Sequence, residues 1–358
     1  MLEIDGSYGE GGGQILRTSL GLSCLFRKPF HIFNIRKSRS RPGLMPQHLA
    51  CVRALAMVSH ASVSGDHKGS AEIIFRPGKP APGIFSFDIG TAGSTSLLFQ
   101  AILPSLIKVD GDSLITLTGG THVQFSPSFH YIRDVFASTL EKMGLSIKVD
   151  LLRCGFYPRG GGEVRIGIAR SEEIRGMTLR ERGRIRAIRG ISGVGNLPAG
   201  IAERQRKAAV NLLLQRGLDA RIDLQEVRAF GKGTFLFLLC ESENSIAGFS
   251  SLGEPGKKAE TVGEEAAGEL IDYYLTPACL DPHLADQIVP YLAVAGEESS
   301  FTTSRISVHL LTNLWITEKF AGIRYAVEGE KGKPGTVNIR PAGDDKGQEP
   351  ALFMNKAG

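Results

Sequence analysis

A histidine followed by small polar residues is the first candidate for covalent chemistry in this sequence: Val308-His309-Leu-Leu-Thr-Asn313. We interpret residues 304–308 as a strand that brings His309 to a turn before a helix, beside the cation of Arg305. A histidine in such a place can act as a nucleophile. A lone histidine is more often structural, and the chain contains eight, so the pattern alone leaves both roles open.

Three glycine-rich turns lie at residues 6–13, 90–94 and 159–162. Backbone N–H groups in such turns can hold a phosphate, although a purely structural turn is an equal alternative. The first turn has neither the GK[ST] ending of a P-loop nor the spacing of a dinucleotide fingerprint. Its carboxylate, Glu10, can bind a divalent cation or remain a solvated charge. The first and third turns share a run of three glycines, which indicates an internally repeated βα unit.

A dense group of cations follows a predicted strand, with four of the six residues at 36–41 being basic. Arginines in such loops bind phosphates through paired N–H groups, and a solvated basic loop is the alternative. The prolines and glycine at 42–46 favour a rigid loop and therefore a binding site. Few aromatic residues interleave with these cations, so we expect contacts to a nucleic-acid backbone rather than stacking on bases.

Two further segments carry polar side chains at helical positions. Gln100 lies within the apolar stretch 95–106 and needs hydrogen-bond partners if it is buried. The segment His283-Leu284-Ala285-Asp286-Gln287 places several polar groups in the first turn of a predicted helix. His283 and Asp286 share one face there, which fits a metal pair or, more commonly, helix capping.

Length and composition indicate a globular protein that is too long for one ordinary core. The chain has 358 residues, 42% of them apolar and 22% charged, with a net charge of +5. Five scattered cysteines without a CxxC pair argue against a zinc site or a disulfide framework. No apolar run is long enough to span a membrane, and the first residues do not resemble a secretory signal. We expect a soluble, cytoplasmic protein.

Helix and strand periodicities mix without strict βαβ alternation, which favours an α+β fold. The predicted helices are 14–24, 46–59, 95–106, 130–143, 201–216, 257–274, 283–294 and 312–320. The predicted strands are 30–35, 72–76, 113–118, 146–151, 163–168, 184–191, 234–240, 246–251 and 304–308. An arginine-dense stretch near residue 180 precedes a self-contained pattern that ends near residue 277. We therefore predict a large domain (1–183 and 278–340), an inserted small domain (184–277) and a loose tail (341–358).

Taken together, these segments resemble the RNA 3′-terminal phosphate cyclase family, in the family's order and over nearly the whole chain. Each piece alone is common, and the resemblance rests on their conjunction. The matching stretches are 5–17, 34–36, 41–49, 93–100, 119–122, 155–162, 284–287 and 308–313.

The resemblance implies a large domain built from repeated ββαβ-type units, like those of enolpyruvyl transferases, with a smaller inserted α/β domain. It implies that His309 becomes covalently adenylylated by ATP and that an RNA 3′-phosphate is then closed to a 2′,3′-cyclic phosphate. Glu10 would help to bind Mg²⁺ or Mn²⁺. The nucleotide would be held by Gln100 and His283–Gln287. Phosphates of ATP or of the RNA end would be held by Arg17, Arg36, Arg39, Arg41 and Gln47.

Three alternatives remain open. A non-catalytic relative that acts as a ribosome-biogenesis scaffold would lack the nucleophile, against which His309 in its motif argues. An enolpyruvyl transferase would have a carboxylate site between two equal domains, which the predicted insertion does not fit. A plain RNA-binding module would need no ATP.

Overall fold

The computed structural model describes residues 1–341 and shows a mixed α/β fold with several small sheets. Within these residues there are four sheets of four strands each, flanked by helices. The mixed fold class predicted from the sequence is thus confirmed. The predicted tail lies outside the described residues from position 342 onwards. None of the described helices is long and apolar enough to cross a membrane.

The first unit has strand order β1-β2-β4-β3, with β1 and β2 parallel and the other pairs antiparallel. Its elements are β1 (Leu2–Asp5), α1 (Gln14–Phe26), β2 (Phe30–Phe33), α2 (Pro46–Ser59), β3 (Ser62–Ser64) and β4 (Ile73–Arg76). The glycine-rich turn at residues 6–13 joins β1 to α1, and the cationic loop joins β2 to α2. Both candidate phosphate-binding segments therefore leave the same ends of two neighbouring parallel strands.

The second unit repeats this arrangement, with strand order β5-β6-β8-β7 and the same parallel and antiparallel pairs. Its elements are β5 (Ile84–Asp88), α3 (Thr95–Leu106), β6 (Ser113–Gly119), α4 (Phe129–Tyr131), a π-helical segment (Ile132–Ala137), α5 (Ser138–Lys142), β7 (Ile147–Arg153) and β8 (Gly162–Ile168). The predicted single helix at 130–143 is thus interrupted by the π-helical segment.

The third unit begins with β9 (Thr178–Leu179), after which the chain enters a separate sheet with order β11-β10-β12-β13. That sheet and its helices are β10 (Ile185–Gly195), α6 (Gly200–Leu214), β11 (Arg221–Glu226), β12 (Gly233–Ser242), β13 (Ile246–Leu252) and α7 (Ala259–Tyr274). These elements enclose a hydrophobic cluster of their own, which includes Leu213, Leu238 and Leu270. The division into a large and an inserted domain stays a prediction.

The chain then returns to complete the third unit. Its strand β14 pairs in parallel with β9, although the residues of the separate sheet lie between these two strands in the sequence. The returning elements are α8 (Pro282–Gln287), α9 (Val289–Leu292), β14 (Ser299–Thr303), α10 (Val308–Ala321), β15 (Arg324–Gly329) and β16 (Gly335–Arg340). The order β9-β14-β16-β15 matches that of the first two units. Each unit therefore has the chain order βαβαββ rather than the expected ββαβ.

The structure contains an internal repeat, but the sequence analysis inferred it by comparing two glycine-rich turns that are not equivalent. The turns at 6–13 and 90–94 are equivalent, because each joins the first strand of a unit to its first helix. The run at 160–162 instead lies at the start of β8, the last strand of the second unit. In the third unit, the equivalent connection carries the additional sheet.

The predicted strand 304–308 is also wrong. The strand is β14, five residues earlier, and residues 304–307 lead into α10. The Ser307 hydroxyl caps that helix by accepting a hydrogen bond from the Leu310 N–H at 3.0 Å. The alternation of apolar residues at 306 and 308 reflects one isolated bridge, from Ile306 to Lys331, and the start of a helix.

Candidate functional site

The candidate site lies where the first unit meets the third, along the contact between α1 and α10. Gly9 in the first glycine-rich turn fits tightly against α10, since a Cβ added there would lie 2.2 Å from Thr312 Oγ1. The backbone φ of Gly9 is +65°, a region that glycine adopts without penalty. This close approach brings Glu10 beside the first turn of α10.

Replacing Gly9 by alanine should therefore destabilise the protein by two separable effects. The left-handed backbone costs about 1–2 kcal/mol for alanine, and the clash with Thr312 adds about 1–3 kcal/mol. Gly217 is a matched control, because its φ is +71° but no atom lies within 4 Å of an added Cβ. Urea unfolding should show a larger loss for Gly9→Ala than for Gly217→Ala. Equal losses would contradict the tight contact with α10.

His309 is the second residue of α10, and both ring nitrogens have partners. The amide of Gln14 donates from Nε2 to the backbone oxygen of His309 at 3.3 Å, which turns its Oε1 towards the imidazole. That Oε1 lies 2.6 Å from His309 Nδ1 and must accept the Nδ1 proton. In the neutral ring, Nε2 therefore carries the lone pair.

Glu10 Oε2 lies 3.0 Å from this Nε2 and is the counter-charge of the site. A carboxylate this close pairs with a protonated Nε2, so the lone pair of the neutral ring is free only when Glu10 turns away from it. The other oxygen of Glu10 accepts a hydrogen bond from Arg39 of the cationic loop. Burial lowers the pKa of His309 below its usual value, and Arg17, His283 and Arg39 lower it further while Glu10 opposes them. The net direction favours the neutral imidazole at neutral pH. The nearby cations are thus Arg17 and Arg39, rather than the Arg305 expected from the sequence.

Helix α8 supplies the predicted nucleotide-binding segment, and Asp281 sets its position. The fully buried Asp281 carboxylate accepts hydrogen bonds from the N–H groups of His283 and Leu284 at 2.9 and 3.0 Å, and from the Tyr131 hydroxyl at 2.8 Å. Capping is therefore the role of Asp281. The imidazole of His283 remains exposed.

The other residues of the segment 283–287 differ in which of their groups can contact a ligand. Leu284 and Ala285 are buried in the hydrophobic core, so only their backbone groups can contact a ligand. Burial raises the pKa of Asp286 well above its usual value; nearby Asp281 adds to this and Arg17 opposes it. The backbone oxygen of Asp286 accepts a hydrogen bond from Asn313 Nδ2 at 2.8 Å, and Asn313 in turn accepts one from Thr18 at 2.7 Å. This chain of bonds ties α1, α8 and α10 together.

Arg17 extends from α1 into a space shared with His48 from α2. A Cβ on Gly13 would lie 2.6 Å from Arg17 Nη1 and 2.4 Å from His48 Nε2, so this glycine leaves room for both side chains. His48 Nδ1 accepts the backbone N–H of Met45 at 3.1 Å. Burial lowers the pKa of His48 to about 3, with Arg17 and Arg36 adding to the effect. His48 is therefore neutral and offers an N–H beside the arginine.

The cationic loop divides into cations that hold the loop and cations that face outward. Arg36 donates to the backbone oxygens of Arg41 and Gly43 at 2.6 and 3.0 Å, so its guanidinium holds the loop closed. Arg39 bonds to Glu10 at the site. Arg41 is exposed. Arg36 thus holds the loop, whereas Arg39 faces the site and Arg41 faces solvent.

Three of the predicted ligand-binding amides have a buried polar atom without a hydrogen-bond partner among the described residues. These atoms are Gln47 Nε2, Gln100 Nε2 and Gln287 Oε1. A buried amide without a partner is costly, and a ligand that supplies the missing bond explains why it is kept. Within residues 1–341, no hydrogen bond or ion pair joins these amides to His309.

Sequence reasoning missed several residues that hold the site together. Gln14 fixes the tautomer of His309, Asp281 caps α8, and His48 accompanies Arg17. Gln14 directly follows the glycine-rich turn, but nothing in the spacing indicated its partner 295 positions away. Asp281 was detectable, since an aspartate before a proline and a helical segment is a common N-cap.

The five cysteines are not candidates for chemistry, because all are buried and unpaired. Burial raises the pKa of Cys24 and Cys154 to about 12. Over the described residues, no group of three or more His, Cys, Asp or Glu side chains is arranged to hold a metal ion. A cation at Glu10 would therefore need most of its ligands from a bound substrate or water.

Comparison with known proteins adds to this geometry. The sequence profile of the RNA 3′-terminal phosphate cyclase family matches residues 8–327. A protein named RNA 3′-terminal phosphate cyclase from Methanothermobacter thermautotrophicus is 42% identical over 340 residues, covering 95% of this chain and all of that protein. One of the same name from Sulfolobus acidocaldarius is 46% identical over 92% of this chain and 97% of its own length. A third, from Methylococcus capsulatus, is 41% identical over 96% and 98%. The chain belongs to the RNA 3′-terminal phosphate cyclase family.

Proposed function

We propose that this enzyme uses ATP to convert the 3′-phosphate of an RNA end to a 2′,3′-cyclic phosphate, with His309 as the nucleophile. The observation that carries the proposal is the imidazole itself: Nδ1 donates to Gln14, so the neutral ring has its lone pair on Nε2, which is free to attack once Glu10 releases that nitrogen. The names of the relatives, which share 41–46% identity with this chain, point to the same reaction.

In the first step, His309 Nε2 attacks the α-phosphorus of ATP. A nitrogen–phosphorus bond forms as the bond to the bridging oxygen breaks, and pyrophosphate leaves. The attack needs a neutral imidazole, which the lowered pKa of His309 supplies. The Gln14 carbonyl orients the ring and stabilises the positive charge that develops on it during the attack.

Fixed cations offset the negative charge of the phosphoryl groups. Arg17 lies within the site and Arg39 at its edge, and their guanidinium groups are suited to phosphate oxygens. The unpartnered amides of Gln47, Gln100 and Gln287 are suited to the polar groups of the nucleotide or of the RNA end. The exposed ring of His283, at the start of α8, would contact the nucleotide.

In the second step, an oxygen of the RNA 3′-phosphate attacks the phosphorus of the histidine-bound AMP, and the bond to Nε2 breaks. The product is an RNA whose terminal phosphate is linked to AMP through a diphosphate. The adjacent 2′-OH then attacks the terminal 3′-phosphorus, its proton is lost to solvent, and AMP leaves. Because the hydroxyl is already held beside the phosphorus, this closure has a high effective concentration and needs little further help.

Glu10 fits a role in holding a divalent cation. Its side chain is 39% exposed, and it is a single carboxylate beside cationic groups that are suited to phosphates. Mg²⁺ is commonly bound by one or two carboxylates together with substrate phosphates, and Glu10 would supply one such carboxylate. When bound, Mg²⁺ or Mn²⁺ would offset charge on the phosphates.

The alternatives are less well supported. A scaffold without catalytic activity would not need a histidine whose tautomer is fixed beside two arginines and a carboxylate. An enolpyruvyl transferase or a plain RNA-binding module would not need a nucleophile at all.

The proposal is tested by incubating the protein with ATP, a divalent cation and an RNA that ends in a 3′-phosphate. We expect the end to become resistant to phosphatase and sensitive to a cyclic phosphodiesterase. Omission of ATP, and an RNA ending in a 3′-hydroxyl, are the controls that should give no product. A cyclic end formed equally well without ATP, or none under any condition, would contradict the proposal.

A further inference from the structure

An aromatic pair lies beside the candidate site and is not used by the proposed chemistry. The rings of Tyr8 and Trp315 stack with centroids 3.9 Å apart and an angle of 18° between their planes. The ammonium of Lys319 lies 4.7 Å from the centroid of the Trp315 ring. Tyr8 comes from the first unit and the other two from α10, so the cluster forms only in the folded chain.

The position of Tyr8 is fixed relative to the nucleophile. Its backbone N–H donates to Asp5 and its carbonyl accepts from Gly11, both at 3.1 Å, which closes the turn around it. Gly9 follows directly and packs against Thr312, and Glu10 follows next and faces His309. The aromatic pair and the nucleophile are therefore held by the same two elements.

One cation contacts this pair, and others lie in the loop that reaches the same turn. Lys319 lies on the α10 side, and Arg39, which bonds to Glu10, belongs to the cationic loop that reaches the same turn. Lys37 and Arg41 of that loop are exposed. An aromatic ring together with nearby cations has the composition that single-stranded nucleic acids require, with cations for the phosphates and a ring for a base.

One face of the Tyr8 ring is open. The other face lies on Trp315, and Tyr8 remains 42% exposed. Isolated exposed aromatic residues are common and need no explanation. Tyr8 differs from such residues because it is stacked on Trp315, held by backbone hydrogen bonds and only two residues from Glu10.

We propose that Tyr8, supported by Trp315, is a stacking platform for a base close to the 3′-phosphate of the RNA substrate. The inference rests on the proposed function, because it requires RNA at His309. Every base has a π face, so the contact favours single-stranded RNA ends without selecting a sequence. The cationic loop alone predicts only backbone contacts, and the structure adds the ring from a distant part of the chain.

The test measures two reactions separately in the parent protein and in Tyr8→Ala, Tyr8→Leu and Tyr8→Phe. The first is self-adenylylation with α-labelled ATP and no RNA. The second is cyclisation of short oligoribonucleotide 3′-phosphates, followed as a function of RNA concentration. Tyr274→Ala is the control, since Tyr274 is similarly exposed at 37% and also lies near a cation, but belongs to α7.

We expect Tyr8→Ala and Tyr8→Leu to raise the half-saturating RNA concentration about tenfold for all four terminal bases. Tyr8→Phe keeps the ring and should stay within about twofold of the parent. Self-adenylylation should proceed in every variant at a similar rate. Because Tyr8 stacks on Trp315, tryptophan emission changes with the substitution itself, so far-ultraviolet circular dichroism is used to show that each variant is folded.

Abasic substrates test the same contact without changing the protein. Removing the base that stacks should weaken RNA binding of the parent about tenfold and should have little further effect in Tyr8→Ala. An abasic series that the parent binds as well as normal RNA would overturn the platform. A loss of self-adenylylation in Tyr8→Ala would also overturn it, by assigning the ring to ATP. If the parent protein itself takes no label from ATP, the failure lies with the proposed function instead.

Discussion

His309→Ala will neither retain label from α-labelled ATP nor cyclise an RNA 3′-phosphate, with a loss of about 10⁴-fold or more. The reason is that no other described side chain presents a nucleophilic nitrogen in the place of Nε2. His309→Asn should be equally inactive, because the amide keeps some of the shape but has no comparable lone pair. Since the His309 side chain is 44% exposed at the start of α10, the variants should fold almost normally.

Two controls separate loss of the nucleophile from general damage. His67 is an exposed histidine in a loop, so His67→Ala should keep both activities. His309→Ala should still cyclise an RNA supplied with its 3′-adenylate already formed, because attack by the 2′-OH does not use the histidine as nucleophile. If His309→Ala retained the label, a residue other than His309 would be the nucleophile.

An RNA that ends in a 2′-deoxyribose 3′-phosphate will be adenylylated but not cyclised. In the proposed scheme the enzyme transfers AMP to the phosphate, but the 2′-hydroxyl that should attack the phosphorus is missing. The diphosphate-linked adenylate should accumulate to one equivalent or more per enzyme, and cyclic product should be absent. Gel separation of the end-labelled oligonucleotide measures both species in the same reaction.

The matched control is the same oligonucleotide with a normal terminal ribose, which should pass to the cyclic end with little build-up of adenylate. Release of AMP from the deoxy substrate at the normal rate would show that the adenylate is not an intermediate, and the two-step scheme would then be wrong.

Local sequence signals predicted the first and last residues of some helices correctly. Helices α2 and α3 begin and end where the sequence predicted, at Pro46–Ser59 and Thr95–Leu106. Both helices have a local start signal. Pro46 occupies the first helical position of α2, and the Ser94 hydroxyl caps α3 by accepting a hydrogen bond from the Leu97 N–H. The cationic loop was placed correctly between a strand and a helix for the same reason.

Local sequence patterns could not predict features that depend on contacts between residues far apart in the sequence. The strand predicted before His309 was wrong because pairing with β9 and β16 selects residues 299–303 instead. Tyr8 and Trp315 lie far apart in the sequence, so their stacking follows only from the packing of the first unit on the third. The loop-holding role of Arg36 likewise depends on carbonyl groups that a sequence does not position.

The most direct test of the central claim is to locate and characterise the bond between AMP and the protein. After incubation with α-labelled ATP and a divalent cation, the labelled protein is digested, and its stability in mild acid and in alkali is measured before the peptide is sequenced. We predict that the label lies on the peptide containing His309, is lost in acid and survives alkali, as a nitrogen–phosphorus bond to histidine requires. Label on a lysine or on another histidine, or an adduct that is lost in alkali, would contradict the account.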